Sequence, residues 1–201
     1  GAEVEVDAGR HDDAVEALVG DLDRYFEAQP RRGEEEPPPF RKREPFEEFS
    51  INLSIDDIKD PLTVREIIAT IVQTGTASRT VFEILESDEI ENYEDVAVFI
   101  DQVKRLGAKI AIDDFGTGYS NFDHILQLNV DYIKIDGSLI RGIADNPRNT
   151  IIVETIVEFA KKMGAKTIAE FVSDEKIFEI VKNYGIDYAQ GYHLGKPQEL
   201  I

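Results

Sequence analysis

Residues Ala108–Tyr119, AKIAIDDFGTGY, and Val130–Asp136, VDYIKID, decide how this chain folds. Each half is an apolar, β-branched run that ends abruptly in charge. Ile110-Ala111-Ile112 meets Asp113-Asp114, and Tyr132-Ile133 meets Lys134. Runs that have lost polar–apolar alternation read as strands buried on both faces of a parallel sheet. Two adjacent carboxylates at the mouth of such a strand are costly unless something cationic shares the site; a metal ion, a lysine or both would serve. The Gly116-Thr117-Gly118 turn lets the backbone leave the strand tightly and leaves room above the carboxylates. Taken singly, Asp113 reads equally well as a turn cap. The same event, however, recurs along the chain.

Before this stretch, Glu48–Leu53 and Arg79–Ile84 read as strands carrying Asn52 and Glu83 near their ends. After it, Ala165–Phe171 is a strand tipped by Glu170, and Ile186–Gln190 one tipped by Gln190, with a further short strand at Tyr192–Leu194. Helices alternate with the strands. Asp60-Pro61 opens one that Gly75 closes, and Ser87 caps a long amphipathic one ending at Gly107. A short helix follows Ser120, one near Asn149–Met163 stops at Gly164, and Ser173 caps another, Asp174–Tyr184, that stops at Gly185. Strand–helix alternation with glycine stops is the signature of a parallel α/β fold.

An α/β (β/α)8 TIM-like barrel, modified or incomplete at its first strand, is the expected architecture. It gathers Asn52, Glu83, Asp113, Lys134, Glu170 and Gln190 at the carboxyl ends of the strands, where such barrels keep their chemistry. An open doubly wound sheet would spread them along a line, and no glycine fingerprint for a dinucleotide follows the first strand.

Composition bounds the partners. The 201 residues carry a formal net charge of -19, so the bare surface repels DNA, RNA and anionic membranes. A phosphate-ester ligand would therefore need divalent cations to supply local positive field. There are no cysteines, 42% of residues are hydrophobic, and no apolar run reaches membrane-spanning length. A cytoplasmic domain with no membrane segment is expected. Residues 1–40 differ from the rest: they contain no Lys, Ile or Asn, and Gln29–Pro39 is a charged, proline-rich linker. They read as a divergent N-terminal segment, either fused or a replacement for the first strand and helix, ahead of a barrel domain over residues 41–201.

The oxygen donors Asn52, Glu83 and Asp113 suit Mg²⁺ or Mn²⁺ rather than zinc, and Asp114 is placed to bridge to a second ion. Two ions would clamp the attacking and leaving oxygens of a phosphoryl displacement. Lys134 would hold a nucleophilic water or neutralise developing charge, and Glu170 would ligand metal or accept the water's proton. His11, His124 and His193 read as structural or solvated. A barrel lyase using Lys134 as a Schiff base is disfavoured, because nearby carboxylates raise a lysine pKa rather than lower it.

The segments Asn52-Leu53-Ser54, Phe82–Ser87 (FEILES), Asp113–Ser120 (DDFGTGYS), Lys134-Ile135-Asp136, Ala169-Glu170 and Gln190-Gly191-Tyr192 resemble, in order and spacing, the successive motifs of the EAL domain family. The resemblance spans roughly residues 47–198. It implies a modified barrel and Mg²⁺- or Mn²⁺-dependent hydrolysis of cyclic di-GMP to linear pGpG. It also implies metal ligation by Asn52, Glu83, Asp113, Asp114 and Glu170. Lys134 and Gln190 would lie near the catalytic water, and Glu86 would steady the loop after the Asp114 strand. Dimers are common in the family.

Departures are visible too. Glu16-Ala17-Leu18 spells the family's naming triplet, but Gly20 stands where its arginine belongs and the stretch has helical spacing. Leu85 replaces a threonine, and Phe171 and Ser173 replace the glycine and second glutamate after Ala-Glu. A degenerate, non-catalytic cyclic di-GMP sensor or protein-interaction module is therefore the alternative expectation.

Overall fold

The computed structural model describes residues 48–85, 93–116 and 122–196. Residues 1–47, which include the Glu16-Ala17-Leu18 triplet and the linker, lie outside the described residues, as do Glu86, Ser87 and Ser120. Six parallel strands form one sheet in sequential order: β1 (Phe49–Leu53), β2 (Thr80–Leu85), β3 (Lys109–Phe115), β4 (Tyr132–Ile135), β5 (Lys166–Ala169) and β6 (Tyr188–Ala189). Sequential parallel order requires every crossover to run the same way, which is how a sheet coils toward a barrel. Among the described residues β1 and β6 are not paired, so closure of the ring is not seen.

The crossovers are helical: α1 (Ile55–Lys59) and α2 (Pro61–Thr74) after β1, α3 (Tyr93–Arg105) after β2, and α4 (Phe122–Gln127) after β3. Next come α5 (Gly137–Arg141) and α6 (Pro147–Met163) after β4, and α7 (Glu175–Asn183) after β5. The short helices α1 and α5 escaped the sequence reading because five residues show too little of a 3.6-residue period to register. Helix α2 starts as expected, with the Asp60 carboxylate accepting from the Leu62 and Thr63 amides, and ends at left-handed Gly75. The cap of α7 is Asp174 rather than Ser173; the Ser173 hydroxyl instead donates to Asp174, and the carboxylate is the stronger acceptor for the Ile177 amide. Tyr192–Leu194 is a turn, not a strand, because the left-handed-side φ of Gly191 (153°) redirects the chain.

Alternate residues of β2 to β5 face the helices and build the core: Phe82, Ile84, Ile110, Ile112, Ile133, Ile135 and Ala169 are all at most 2% exposed. They pack against Val96, Phe99, Ile100 and Val103 of α3 and Val153, Ile156, Val157 and Ala160 of α6. The other set faces the concave side, where Val81, Ala111 and Tyr132 form a small separate cluster. One face thus supplies stability and the other is free for chemistry.

Phe82 is fully buried and edge-on to Phe99 at 5.6 Å, so Phe82→Ala is expected to lower unfolding stability by about 3–5 kcal/mol, read from urea transitions. The helix caps predict acid sensitivity as well. Hydrogen bonds lower the Asp60 and Asp174 carboxyls in the fold, so their support is present above the unfolded carboxylate value of about 3.9 and is lost as pH falls through the folded one. Asp60→Asn with Asp174→Asn should flatten the stability–pH curve in that acid range.

Candidate active site

The concave face carries the polar residues in register. Asn52 of β1 pairs beside Glu83 of β2, and Leu85 of β2 beside Asp113 of β3. Lys134 lies in β4, while Glu170 and Gln190 follow directly on β5 and β6, so all six stand toward the carboxyl ends of the strands. Parallel pairing brings same-parity residues to one face, which converts separations of tens of residues into contacts.

The Lys134 ammonium is the centre. It lies 2.6 Å from Glu83 Oε2, 2.7 Å from Asp113 Oδ1 and 3.0 Å from Glu170 Oε1. Gln190 Nε2 donates to the same Glu170 oxygen at 2.7 Å. Glu83, Lys134 and Glu170 are all under 9% exposed. Burial pushes the lysine down, but the hydrogen bonds it donates to Asp113, Glu83 and Glu170 more than offset it and hold the ammonium well above the ordinary lysine range. The ammonium is engaged by three carboxylates rather than presented as a free amine, which counts against the Schiff-base reading. Burial raises the Glu170 carboxyl, with the Lys134 hydrogen bond only partly offsetting it.

Adjacent strand residues normally point to opposite faces, yet Asp113 and Asp114 both reach this site. The β3–β4 register shifts between Ile112 and Phe115, and Asp114 has φ 54°. That bulge turns the second carboxylate back toward the first, in a left-handed conformation that aspartate tolerates better than most residues. Asp113, Asp114 and Glu170 each present an oxygen within 4.8 Å of the other two. The Asp114 carboxyl is raised, first by burial and then by the charges of Asp113 and Asp136.

An all-oxygen set with two sequence-adjacent carboxylates fits a hard divalent cation such as Mg²⁺ or Mn²⁺. Here the Lys134 ammonium already bridges three of the carboxylates, so the cluster is demonstrably built to hold positive charge. Asn52 stands in register beside Glu83, exposed and outside the hydrogen-bond set of Lys134. Glu86 lies outside the described residues.

One feature sequence reasoning missed is the φ of 54° at Phe171, directly after Glu170. This is the position where the resemblance expects glycine, and the left-handed backbone gives the physical reason for that glycine. The phenyl ring is accommodated because Gly137 has no Cβ, which would sit 2.1 Å from it, and because the Arg141 guanidinium covers it at 4.2 Å from the ring centroid. His193 Nε2 lies 2.9 Å from Glu175 Oε2, in keeping with a structural role.

A coiled parallel α/β sheet with carboxylates and one lysine converging at its carboxyl ends defines a barrel-type domain with a cation-holding acidic site. The family model "EAL domain" matches residues 39–197, and the chain belongs to the EAL domain family. Cyclic di-GMP phosphodiesterase PdeF of Escherichia coli K12 is 38% identical over 164 residues, covering 80% of this chain and 22% of that protein. Cyclic di-GMP phosphodiesterase PdeB of Shewanella oneidensis is 40% identical over 119 residues, covering 59% and 14% respectively. The chain thus spans about a fifth or less of these curated relatives. Among solved structures, the PaMucR phosphodiesterase in complex with c-di-GMP superposes with TM-score 0.70 at 28% identity, covering 75% of this chain and 62% of that one. The EAL domain of Mycobacterium smegmatis DcpA gives 0.69 at 30% identity, covering 74% and 67%.

Removing the central cation leaves buried like charges face to face. Lys134→Met should cost about 3–5 kcal/mol at neutral pH. The loss should shrink as pH is lowered and the carboxylates protonate, and on adding Mn²⁺; thermal unfolding from pH 5 to 8, with and without metal, measures both.

Proposed function

We propose that this domain hydrolyses one phosphodiester bond of cyclic di-GMP to give linear pGpG, with Mg²⁺ or Mn²⁺ as cofactor. The observation that carries the reading is the Lys134 ammonium held among Glu83, Asp113 and Glu170 at the carboxyl ends of the strands. Relatives named as cyclic di-GMP phosphodiesterases support it.

Asp113, Asp114 and Glu170, with Glu83 and Asn52 beside them, would hold the ions. Once bound, the ions supply the charge that polarises the phosphoryl oxygens and acidifies the attacking water. Lys134 contributes a permanent positive charge where negative charge develops on the phosphoryl group. Glu170, raised by burial and fixed by Gln190, is the group positioned to take the water's proton. The new oxygen–phosphorus bond forms as the bond from phosphorus to the leaving ribose oxygen breaks, and that oxygen takes a proton from solvent. Glu86 would steady the loop after β3. The net charge of -19 makes DNA and RNA poor partners, and no helix among the described residues is long and apolar enough to cross a membrane.

A second reading, a cyclic di-GMP-binding module without turnover, is favoured by the lack of a recognisable first-strand glutamate and arginine, since the helically spaced Glu16-Ala17-Leu18 triplet, followed by Gly20, is a coincidental match. Incubation with cyclic di-GMP and Mn²⁺ and chromatographic detection of pGpG decides between them. The catalytic reading expects metal-dependent product, abolished by chelation and reduced by about 10²–10⁴-fold in Glu170→Gln or Lys134→Ala. Binding without product supports the sensor.

A further inference from the structure

The concave face is polar at both ends, and its amino-terminal end carries a belt that the acidic site does not use. Lys109 begins β3, Tyr132 begins β4, Lys166 begins β5 and Tyr188 begins β6. A cavity of about 620 Å³ is lined by these four residues and Glu48 at one end, and by Glu83 and Gln190 at the other.

The belt contains the same donor pair twice. Lys109 Nζ donates to Tyr132 Oη at 2.9 Å, and Lys166 Nζ donates to Tyr188 Oη at 3.0 Å. Each ammonium also lies over its tyrosine ring, at 5.3 and 5.2 Å from the centroids, and the two rings meet edge-on at 6.0 Å. The first pair holds a carboxylate: Glu48 accepts from Lys109 at 2.5 Å and from the Tyr132 hydroxyl at 3.3 Å. The second pair forms no ion pair among the described residues. Asp187, which precedes Tyr188 and acts on Lys166 only through its charge, directs Oδ2 to the Thr167 amide and hydroxyl. Lys166 therefore keeps ammonium hydrogens, and Tyr188 its phenolic hydrogen, available to an acceptor.

Glu48 shows what such a pair binds. We propose that Lys166 and Tyr188 form a seat for a carboxylate-bearing small molecule at the amino-terminal mouth of the lumen, remote from the acidic cluster. A carboxylate between an ammonium and a phenol gains two hydrogen bonds, one of them charge-assisted. In a chain of formal net charge -19, the Lys166 ammonium is a local positive group on the cavity wall. The seat does not depend on the phosphodiesterase reading, because no residue of the acidic cluster takes part.

Succinate and citrate are the probes, titrated into the whole chain and followed by calorimetry and thermal unfolding, with sodium chloride matched for ionic strength and phosphate run in parallel. A saturable response to the carboxylates in the wild type, lost in Lys166→Met and weakened about tenfold in Tyr188→Phe, supports the seat. Lys109→Met breaks the Glu48 pair and serves as the second variant; retained binding there localises the site to the β5–β6 pair and supports it further. A response that chloride reproduces, a stronger response to phosphate than to either carboxylate, or binding that survives Lys166→Met overturns the proposal. Circular dichroism of Lys166→Met confirms that a lost response is not lost folding, since both side chains of the pair are solvent-facing.

Discussion

One buried ammonium makes the concave end of this sheet possible. Glu83, Asp113 and Glu170 come from three different strands, and each would repel the others in a site largely closed to water. Lys134 satisfies all three from the strand between them, with short hydrogen bonds that fix the carboxylate orientations. Gln190 then fixes Glu170 from the neighbouring strand. A resident cation thus holds the carboxylate oxygens of the cluster close together. The same arrangement favours the charged form of the lysine and engages its ammonium hydrogens with three carboxylates.

Local backbone departures do the remaining aiming. The bulge at Asp113–Asp114 lets two sequence neighbours serve one site, which regular pleating forbids. The left-handed turn at Phe171 lets the chain leave Glu170 and return to pair the Val172 amide with the Gln190 carbonyl, tying the β5 and β6 ends together. Both departures lie within one or two residues of a site carboxylate, where strain is held in place by the surrounding contacts. At Phe171 those contacts are Gly137 and Arg141, a compensation particular to this chain.

Charge is distributed along the lumen rather than only over the surface. Carboxylates crowd the carboxyl-terminal end, lysines and tyrosines alternate at the amino-terminal end, and small apolar residues such as Val81 and Ala111 separate them. The helix-facing side carries the apolar burial that stabilises the sheet, so the concave side can retain groups chosen for binding.

Much of this was legible in the chain itself. Parallel strands followed from unalternating apolar runs such as Ile110-Ala111-Ile112, and helix ends from Asp60-Pro61, Gly75 and Gly164, because periodicity and capping are local properties. The family followed from short motifs around Asn52, Glu83, Asp113 and Lys134. What the chain could not display were contacts between residues far apart in it: the Lys134 triad, the Gln190–Glu170 bond and the paired Lys–Tyr belt exist only through strand register. Nor could it show the φ of Asp114 or of Phe171, since side-chain type only biases backbone angles and the packed neighbours select them. Sequence determined which residues carry charge and which strand carries each; tertiary structure alone decided which of them share a proton, an ion or a cavity, because those depend on distances that the pairing of strands sets.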